Sequence, residues 1–545
     1  MADIKSSLQK TVDCQISDSS EILEKYSRDA GVFEVKPQLI VTPENSGDIA
    51  KLVHFTSENK KTNPEISLTC RAGGTDMSGG AVSNSIIVDM QNLNRISEVE
   101  GDTIVVEPGT YYRDFEKKTF EKNLVLPSYT SSKLICTVGG MVANNAAGEK
   151  SLGFGKTEKY VQELEMMLAD GNSYSFGNLT KEELDKKIGL KTFEGEIYRK
   201  TFKLLDNNYE QIAKSKPKVS KNSSGYNIWN IWNKKTFNLS QVFIGAQGTL
   251  GINTRIKFKL VPRKKEDGLL LVYLGDFKNI PEIVKTVLAH KPSSFESFDD
   301  LTLNLALKYV FDFAPILKEN TLHTALEFLP EFVMKMENKI PKLALLVEFE
   351  ESSRIEINKK ISDLQNELKK FHNVHMKVAK NDEEREKDWA IRRESFNLLR
   401  KRLTDRVACP FIDDTCVNPE VLPEFLPKLY DILDGEKLTY SVAGHIGNGN
   451  FHIFPLLDLS KADDREKIFT VGEKVFDLVL KFGGSLSGEH NDGLVRGMYL
   501  KKQFGIEIFD IFCEIKKIFD PDNIFNPLKK TNATFEFAKA HVRKS

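Results

Sequence analysis

At 545 residues the chain is too long for one hydrophobic core, and at about 150 residues per domain its length allows two to four. Lys plus Arg (77) and Asp plus Glu (78) nearly cancel to a net −1, and 40% hydrophobic with 28% charged residues excludes a disordered or collagenous chain and argues against a basic nucleic-acid binder. The six cysteines (Cys14, Cys70, Cys136, Cys409, Cys416, Cys513) form no C-x-x-C pair, which excludes a disulfide scaffold, a zinc ribbon and a closely spaced iron–sulfur cluster. In chain order, Met1–Lys10 lacks the apolar run of a signal peptide. Ile66–Arg71, Ile86–Met90 and Thr103–Val106 read as short strands, Tyr112–Lys122 as a helix, and Val161–Phe176 as a hairpin turning at Asp170–Gly171. These elements predict α+β layers rather than a regular βαβ repeat.

After the charged turn Pro262–Asp267 (PRKKED) the pattern changes. Leu269–Tyr273 reads as strand and Ile280–His290 as helix; Leu343–Phe349, Ser353–Phe371 and Val374–Val378 repeat strand, helix, strand. Two such units predict a ferredoxin-like sheet, with a boundary near residue 263. The longest apolar runs, Gly268–Leu274 and Leu343–Val347, fall short of the ~20 residues that span a bilayer. His541–Ser545 is not a peroxisomal S-K-L address, and a cytoplasmic protein, free or peripheral at the inner face of a membrane, is expected.

Three glycine-rich segments lie in the first half. Arg71–Gly80 (RAGGTDMSGG) follows a strand, and its glycines with Thr75 and Ser78 offer backbone N–H groups suited to a phosphate. Thr137–Gly148 (TVGGMVANNAAG) is built of small residues that let a flat ligand approach the backbone. Gly245–Gly251 (GAQGTLG) is the third. No segment satisfies G-x-G-x-x-G between a strand and a helix, and Gly155-Lys156-Thr157 only resembles the end of a P-loop, since Lys150 stands in place of its first glycine.

RAGGTDMSGG, LPSYTSSKLICTVGGMVANNAAG (Leu126–Gly148) and GAQGTLGI (Gly245–Ile252) together resemble the FAD-binding domain of the p-cresol methylhydroxylase/vanillyl-alcohol oxidase superfamily. The resemblance is greatest to its D-lactate dehydrogenase and glycolate oxidase FAD-subunit branch and runs from about Tyr26 to about Pro527. It implies an α+β architecture: a two-part FAD-binding domain over 1–262, a ferredoxin-like substrate and metal-binding cap over 263–505, and a segment 506–545 returning to the FAD domain. The first loop then holds the FAD diphosphate through Arg71, Ala72, Gly73, Gly74, Thr75, Asp76, Ser78 and Gly79. Pro127, Thr137, Gly139, Gly140, Asn144, Asn145, Ala147 and Gly148 line the flavin, with Gly248, Gly251 and Ile252 of the third motif beside them. Some members attach FAD to a histidine of the first loop; here Thr75 stands at that place, so non-covalent FAD is expected. Gln247 replaces a more usual glutamate.

Three of the nine histidines fall within 46 residues, His445 to His490. In Ser441–Leu457 (SVAGHIGNGNFHIFPLL) strand-like flanks surround Asn448–Gly449, a preferred two-residue turn. That turn pairs His445 directly with His452, on one face with Cβ atoms about 5 Å apart, able to ligate one metal ion; two surface histidines on a hairpin tip is the other reading. In Gly483–Gly493 (GGSLSGEHNDG), Glu489 can complete a His₂Glu ligand set with an open position, leaving His490 as a general base. These segments resemble the family's H-x-G-x-G-N-x-H followed by G-E-H. The resemblance implies a divalent metal, zinc ahead of manganese, on His445, His452 and Glu489, with His490 as base. Asn448 stands where aspartate is common and Asn491 where glycine is common; both suit turns. Trp389 and Arg392 in Asp388–Arg400 match the family's W-x-x-R, whose arginine engages the substrate carboxylate; Arg393 and Arg400 share the stretch.

The resemblance implies FAD-dependent oxidation of a 2-hydroxy acid, D-lactate-like, to the 2-oxo acid. Some relatives continue into a cysteine-rich iron–sulfur domain, whereas this sequence ends soon after Asp520–Pro527 (DPDNIFNP). The expected electron acceptor is therefore separate: an iron–sulfur subunit, an electron-transfer flavoprotein or a quinone. Two alternatives stand beside this: a superfamily flavoenzyme of other chemistry (ether-lipid synthase or sugar-lactone oxidase type), and a non-catalytic flavin-binding electron-transfer subunit. No nucleic-acid partner and no membrane span are expected.

Overall fold

The computed structural model describes residues 4–318, 320–337, 339–402 and 405–544, with side chains of residues 396–402 outside the description. Two sheets build the first part. One has the order Gln15–Ser17, Leu39–Thr42, Ile86–Asp89, Leu68–Arg71, with an antiparallel first pair and parallel partners after it. Val41, Ile49, Leu52, Leu68 and Val88 form its core. The second sheet is antiparallel: Thr103–Val106, Ile252–Lys259, Val161–Met167, Ser173–Thr180, Thr236–Asn238. The expected hairpin is present with a longer turn. Leu168 N–H donates to Asn172 O at 3.0 Å, leaving a three-residue loop closed by Gly171 at φ 73°. A left-handed third residue turns such a loop more readily than the two-residue form when the first positions keep negative φ.

The cap sheet has seven antiparallel strands: Val374–Val378, Glu266–Leu274, Leu343–Glu351, Ser294–Asp299, Val442–His445, Asn450–Ile453, Thr415–Cys416. The first four, with helices Ile280–Ala289 and Arg354–Leu368, make the ferredoxin-like unit. Leu270 and Val272 meet those helices, while Leu269 and Leu271 face Phe298 and Trp389 on the other side. Burial on both faces explains why GLLLVYL is apolar without alternation. Ser294–Asp299 (SFESFD) carries no comparable apolar run and gave no strand signal, yet all six residues are buried.

The helix Leu500–Phe519, broken at Gly505 (φ 78°), sends Ile508, Phe512, Ile515 and Phe519 into the core of the second sheet. Ile524 and Phe525 then enter the core of the first sheet, where Leu68 N–H donates to Ile524 O at 2.8 Å. The last part of the chain thus packs on the first. Among the described residues no helix is long and apolar enough to cross a membrane.

Candidate active site

A cavity of about 840 Å³, within the size range of cofactor sites, runs from the glycine loops to the histidines. Its walls include Arg71, Ala72, Gly73, Gly74, Thr75, Asp76, Thr137, Gly139, Gly140, Asn144, Ala147, Gly148, Gly248, Gly251 and Ile252. Four of the expected cofactor residues lie off the wall. Ser78 turns its N–H and hydroxyl to Asp76 (3.0 and 2.8 Å), Gly79 N–H donates to Asp29 (2.9 Å), Asn145 donates to Glu158, and Pro127 is buried outside the cavity. These residues shape the loops rather than face a ligand.

The loops fit FAD. Gly73, Gly139 and Gly148 let the loops pack tightly on their neighbours around the cavity: a Cβ on each would lie 2.5 Å from Ile135 O, 2.4 Å from Pro108 Cβ and 2.1 Å from Tyr129 O. Gly248 meets nothing within 4 Å, leaving open space against the backbone. Gln247, at φ 52°, donates to Ser78 Oγ (3.1 Å) and Asn144 Oδ1 (3.3 Å) and accepts from Gly493 N (2.9 Å). An amide both donates and accepts there, as a carboxylate cannot, so Gln247 ties all three glycine motifs to the histidine loop.

The histidine hairpin differs from the two-residue turn. Ile446–Asn448 forms a helical turn closed by Gly449 at φ 65°, so His445 pairs with Asn450 and Ala443 with His452. The register moves by two residues, which keeps side-chain parity, so both histidines still share a face with ring centroids 5.0 Å apart. His445 Nε2 lies 3.2 Å, His452 Nε2 3.3 Å and His490 Nε2 3.7 Å from Glu489 Oε1. Each ring's other nitrogen faces a buried carboxylate: Glu296 for His445 (2.5 Å), and Asp413 for both His452 (2.9 Å) and His490 (2.5 Å). Carboxylates that hold Nδ1 and leave Nε2 converging suit a metal cradle. The donor set around Glu489 therefore fits a divalent ion. His445 reaches this group through Glu489, whereas ligand atoms of His452, Glu489, His490 and Asp414 all lie within 4.8 Å of one another. The Asp414 oxygens already accept from Glu489 N, His490 N, Ser487 Oγ and Asn450 Nδ2, so it braces the loop.

Burial disfavours charge throughout this cluster, yet the ion pairs prevail. Lys221 and His445 hold the Glu489 carboxyl well below the usual range, and Asp413 with Glu489 raises His452 to about 10. Asp413 likewise raises His490, and the two imidazoles depress Asp413. His490 is the most open of the three, its side chain 23% exposed against 7% and 10% for His445 and His452. Asn491, at φ 69°, donates to Gly245 O (2.8 Å), which explains an asparagine where its turn needs a left-handed residue.

Arg392 and Arg393 both line the cavity. Arg392 Nη2 pairs with Glu296 at 2.9 Å, while its buried Nε has no hydrogen-bond partner among the described residues. Arg393 grips Glu149 through both Nε (3.2 Å) and Nη2 (2.7 Å). The Arg400 side chain lies outside the described residues. Glu296, Asp413, Asp414 and Lys221 were not legible as site residues. The adjacent acids in PFIDDT (410–415), inside an apolar flank, were the one available signal.

Residues 37–177 match the model described as FAD binding domain, and residues 263–530 the one described as FAD linked oxidases, C-terminal domain. The chain is 28% identical over 523 residues to D-2-hydroxyglutarate dehydrogenase of Pseudomonas putida, covering 94% of this chain and 50% of that protein. It is 25% identical to D-lactate dehydrogenase of Archaeoglobus fulgidus, covering 94% and 98%. The chain thus spans about half the length of the D-2-hydroxyglutarate dehydrogenases it matches. Among solved structures, p-cresol methylhydroxylase with substrate bound superposes with a TM-score of 0.69 at 14% identity, covering 97% and 96%, a likeness of fold. With both parts of the chain matched and the glycine loops on its cavity wall, the chain belongs to the FAD-linked oxidases, and its fold is like that of p-cresol methylhydroxylase.

Proposed function

We propose that the protein oxidises a D-2-hydroxy acid to the 2-oxo acid with non-covalently held FAD and passes the electrons to a separate acceptor. The observation that carries this reading is the convergence of three imidazoles on Glu489 at the end of a cavity whose other end is the FAD-type glycine wall. Bound FAD supplies the hydride acceptor, and a divalent ion on His445, His452 and Glu489, zinc ahead of manganese, supplies Lewis acidity toward the substrate hydroxyl. Arg392, on the cavity wall, offers the substrate carboxylate the guanidinium N–H groups that Glu296 leaves free. His490 accepts the hydroxyl proton at Nε2, because Asp413, which as a carboxylate only accepts, keeps the other proton on Nδ1. The six cysteines of this sequence are unpaired and dispersed, so they supply no cysteine-held carrier beside FAD. The divisions 1–262, 263–505 and 506–545 are proposed as the working domains.

The test is anaerobic mixing of FAD-loaded protein with D- and L-forms of lactate and 2-hydroxyglutarate, and with glycolate, monitored by flavin absorbance. Bleaching with a D-acid and not its L-form is expected, in protein holding a divalent metal. An unchanged spectrum across the panel would overturn the proposal. Bleaching in fully active, metal-free protein would remove the metal from it.

A further inference from the structure

Lys221 has no role in the reading above, yet it is 1% exposed and belongs to the first part of the chain. It crosses to the cap, where Nζ lies 2.9 Å from Glu489 Oε2 and 3.3 Å from Asn450 Oδ1. The two oxygens of Glu489 are thereby divided, Oε1 toward the imidazoles and Oε2 toward the ammonium. A buried ammonium persists only where it is paired, and among the described residues its ion-pair partner is the carboxylate of the cradle.

We propose, resting on the reading that His445, His452 and Glu489 hold a divalent ion, that Lys221 is a positioning residue that keeps Glu489 a one-oxygen ligand. With Oε2 held, the position that a second carboxylate oxygen would fill stays open for the substrate hydroxyl. A fixed positive charge beside the cradle also opposes a divalent cation. The ion is therefore held less tightly and donates less of its acidity to the carboxylate. The signature is opposite to that of a residue which merely supports the ligands, whose loss weakens metal binding.

The test uses FAD-loaded protein carrying Co²⁺ or Zn²⁺ in the wild type, Lys221→Met and Lys221→Arg, with thermal melting and flavin retention as checks of folding. Three quantities are read: metal release to a chelator, the visible bands of bound Co²⁺, and single-turnover flavin reduction. Lys221→Met is expected to release metal at least about tenfold more slowly. Its Co²⁺ bands should weaken as a second oxygen coordinates, its flavin reduction should slow, and Lys221→Arg should behave as wild type. Release as fast as or faster than wild type, with an unaltered Co²⁺ spectrum, overturns the assignment. If Lys221→Met does not fold, Lys221→Gln, which keeps a donor without the charge, is read by metal release with the same expected and overturning results. A wild type that takes up neither ion overturns the underlying metal reading, whereas a metal-loaded wild type with an unaffected Lys221→Met overturns the Lys221 role alone.

Discussion

Asp413 touches Nδ1 of two histidines at once, and that single carboxylate sets both tautomers. Replacing it by asparagine keeps the size but leaves one acceptor oxygen and one N–H donor where two acceptors held the rings. Asp413→Asn is therefore expected to slow flavin reduction by roughly 10³–10⁴-fold while leaving flavin binding intact, measured by stopped-flow absorbance. His490→Ala should lose about 10²–10⁴-fold in the same assay with metal content unchanged, and a wild-type rate would refute its role as base. The two arginines separate by their partners. Arg392→Lys keeps a charge against Glu296 but loses the fork, so KM for the acid should rise about tenfold or more. Arg393→Lys should move KM less, because its guanidinium is already occupied by Glu149.

At the scale of elements, the hairpin Val442–Ile453 decides whether His445 and His452 meet. Its tight point is Gly449, where φ is 65° and a Cβ would lie 1.9 Å from Val417 O. Gly449→Val combines a left-handed β-branched residue, costing roughly 1–3 kcal/mol in conformation alone, with a backbone clash. A lower melting temperature together with loss of divalent-metal binding is expected; unchanged metal uptake would show that the turn does not set the cradle. The helix Asp382–Arg402 covers the opposite face of the cap sheet and carries Arg392 to the cavity. Trp389, on the same helix, donates to Glu348 at 3.3 Å, and Lys150 beside the flavin loop pairs with Glu348 and Glu350. The arginine is thus placed by contacts to both parts of the molecule.

At the scale of the whole molecule, stability carries a pH signature from Asp388. It is 1% exposed, its Oδ2 has no hydrogen-bond partner among the described residues, and burial pushes its carboxyl up to about 7 despite Lys387 nearby. A raised folded-state pKa means that the native protein holds the proton more tightly than the unfolded chain. This group therefore costs nothing below about pH 4, costs progressively more as pH rises to about 7, and is constant above. Lys387 keeps Glu331 at 2.9 Å, so Asp388→Asn removes the cost without orphaning the lysine. The variant's melting temperature should match wild type near pH 4 and exceed it increasingly up to pH 7. A difference independent of pH would contradict the assignment.

The sequence by itself determined the chemistry-bearing residue types and the spacing that names the family. The glycine loops, GNGNFH and GEH are local segments whose backbone needs, small residues and turns, are written in consecutive positions. Apolar runs sufficed for the ferredoxin-like strands at Leu269–Tyr273 and Leu343–Phe349, because both faces of that sheet are buried. Only the tertiary structure decided what lies between those segments. The two-residue slip of the hairpin was illegible because either turn keeps both histidines on one face, so hydrophobic alternation does not distinguish them. Glu296 was hidden in a strand of mixed polarity, and Asp413 and Lys221 stand 39 and 268 residues from the histidine and glutamate they hold. Partners that distant leave no spacing to read. They become a site only when the cap sheet and the FAD-binding part bury their charges together, since a buried ion is tolerated only against its counterion.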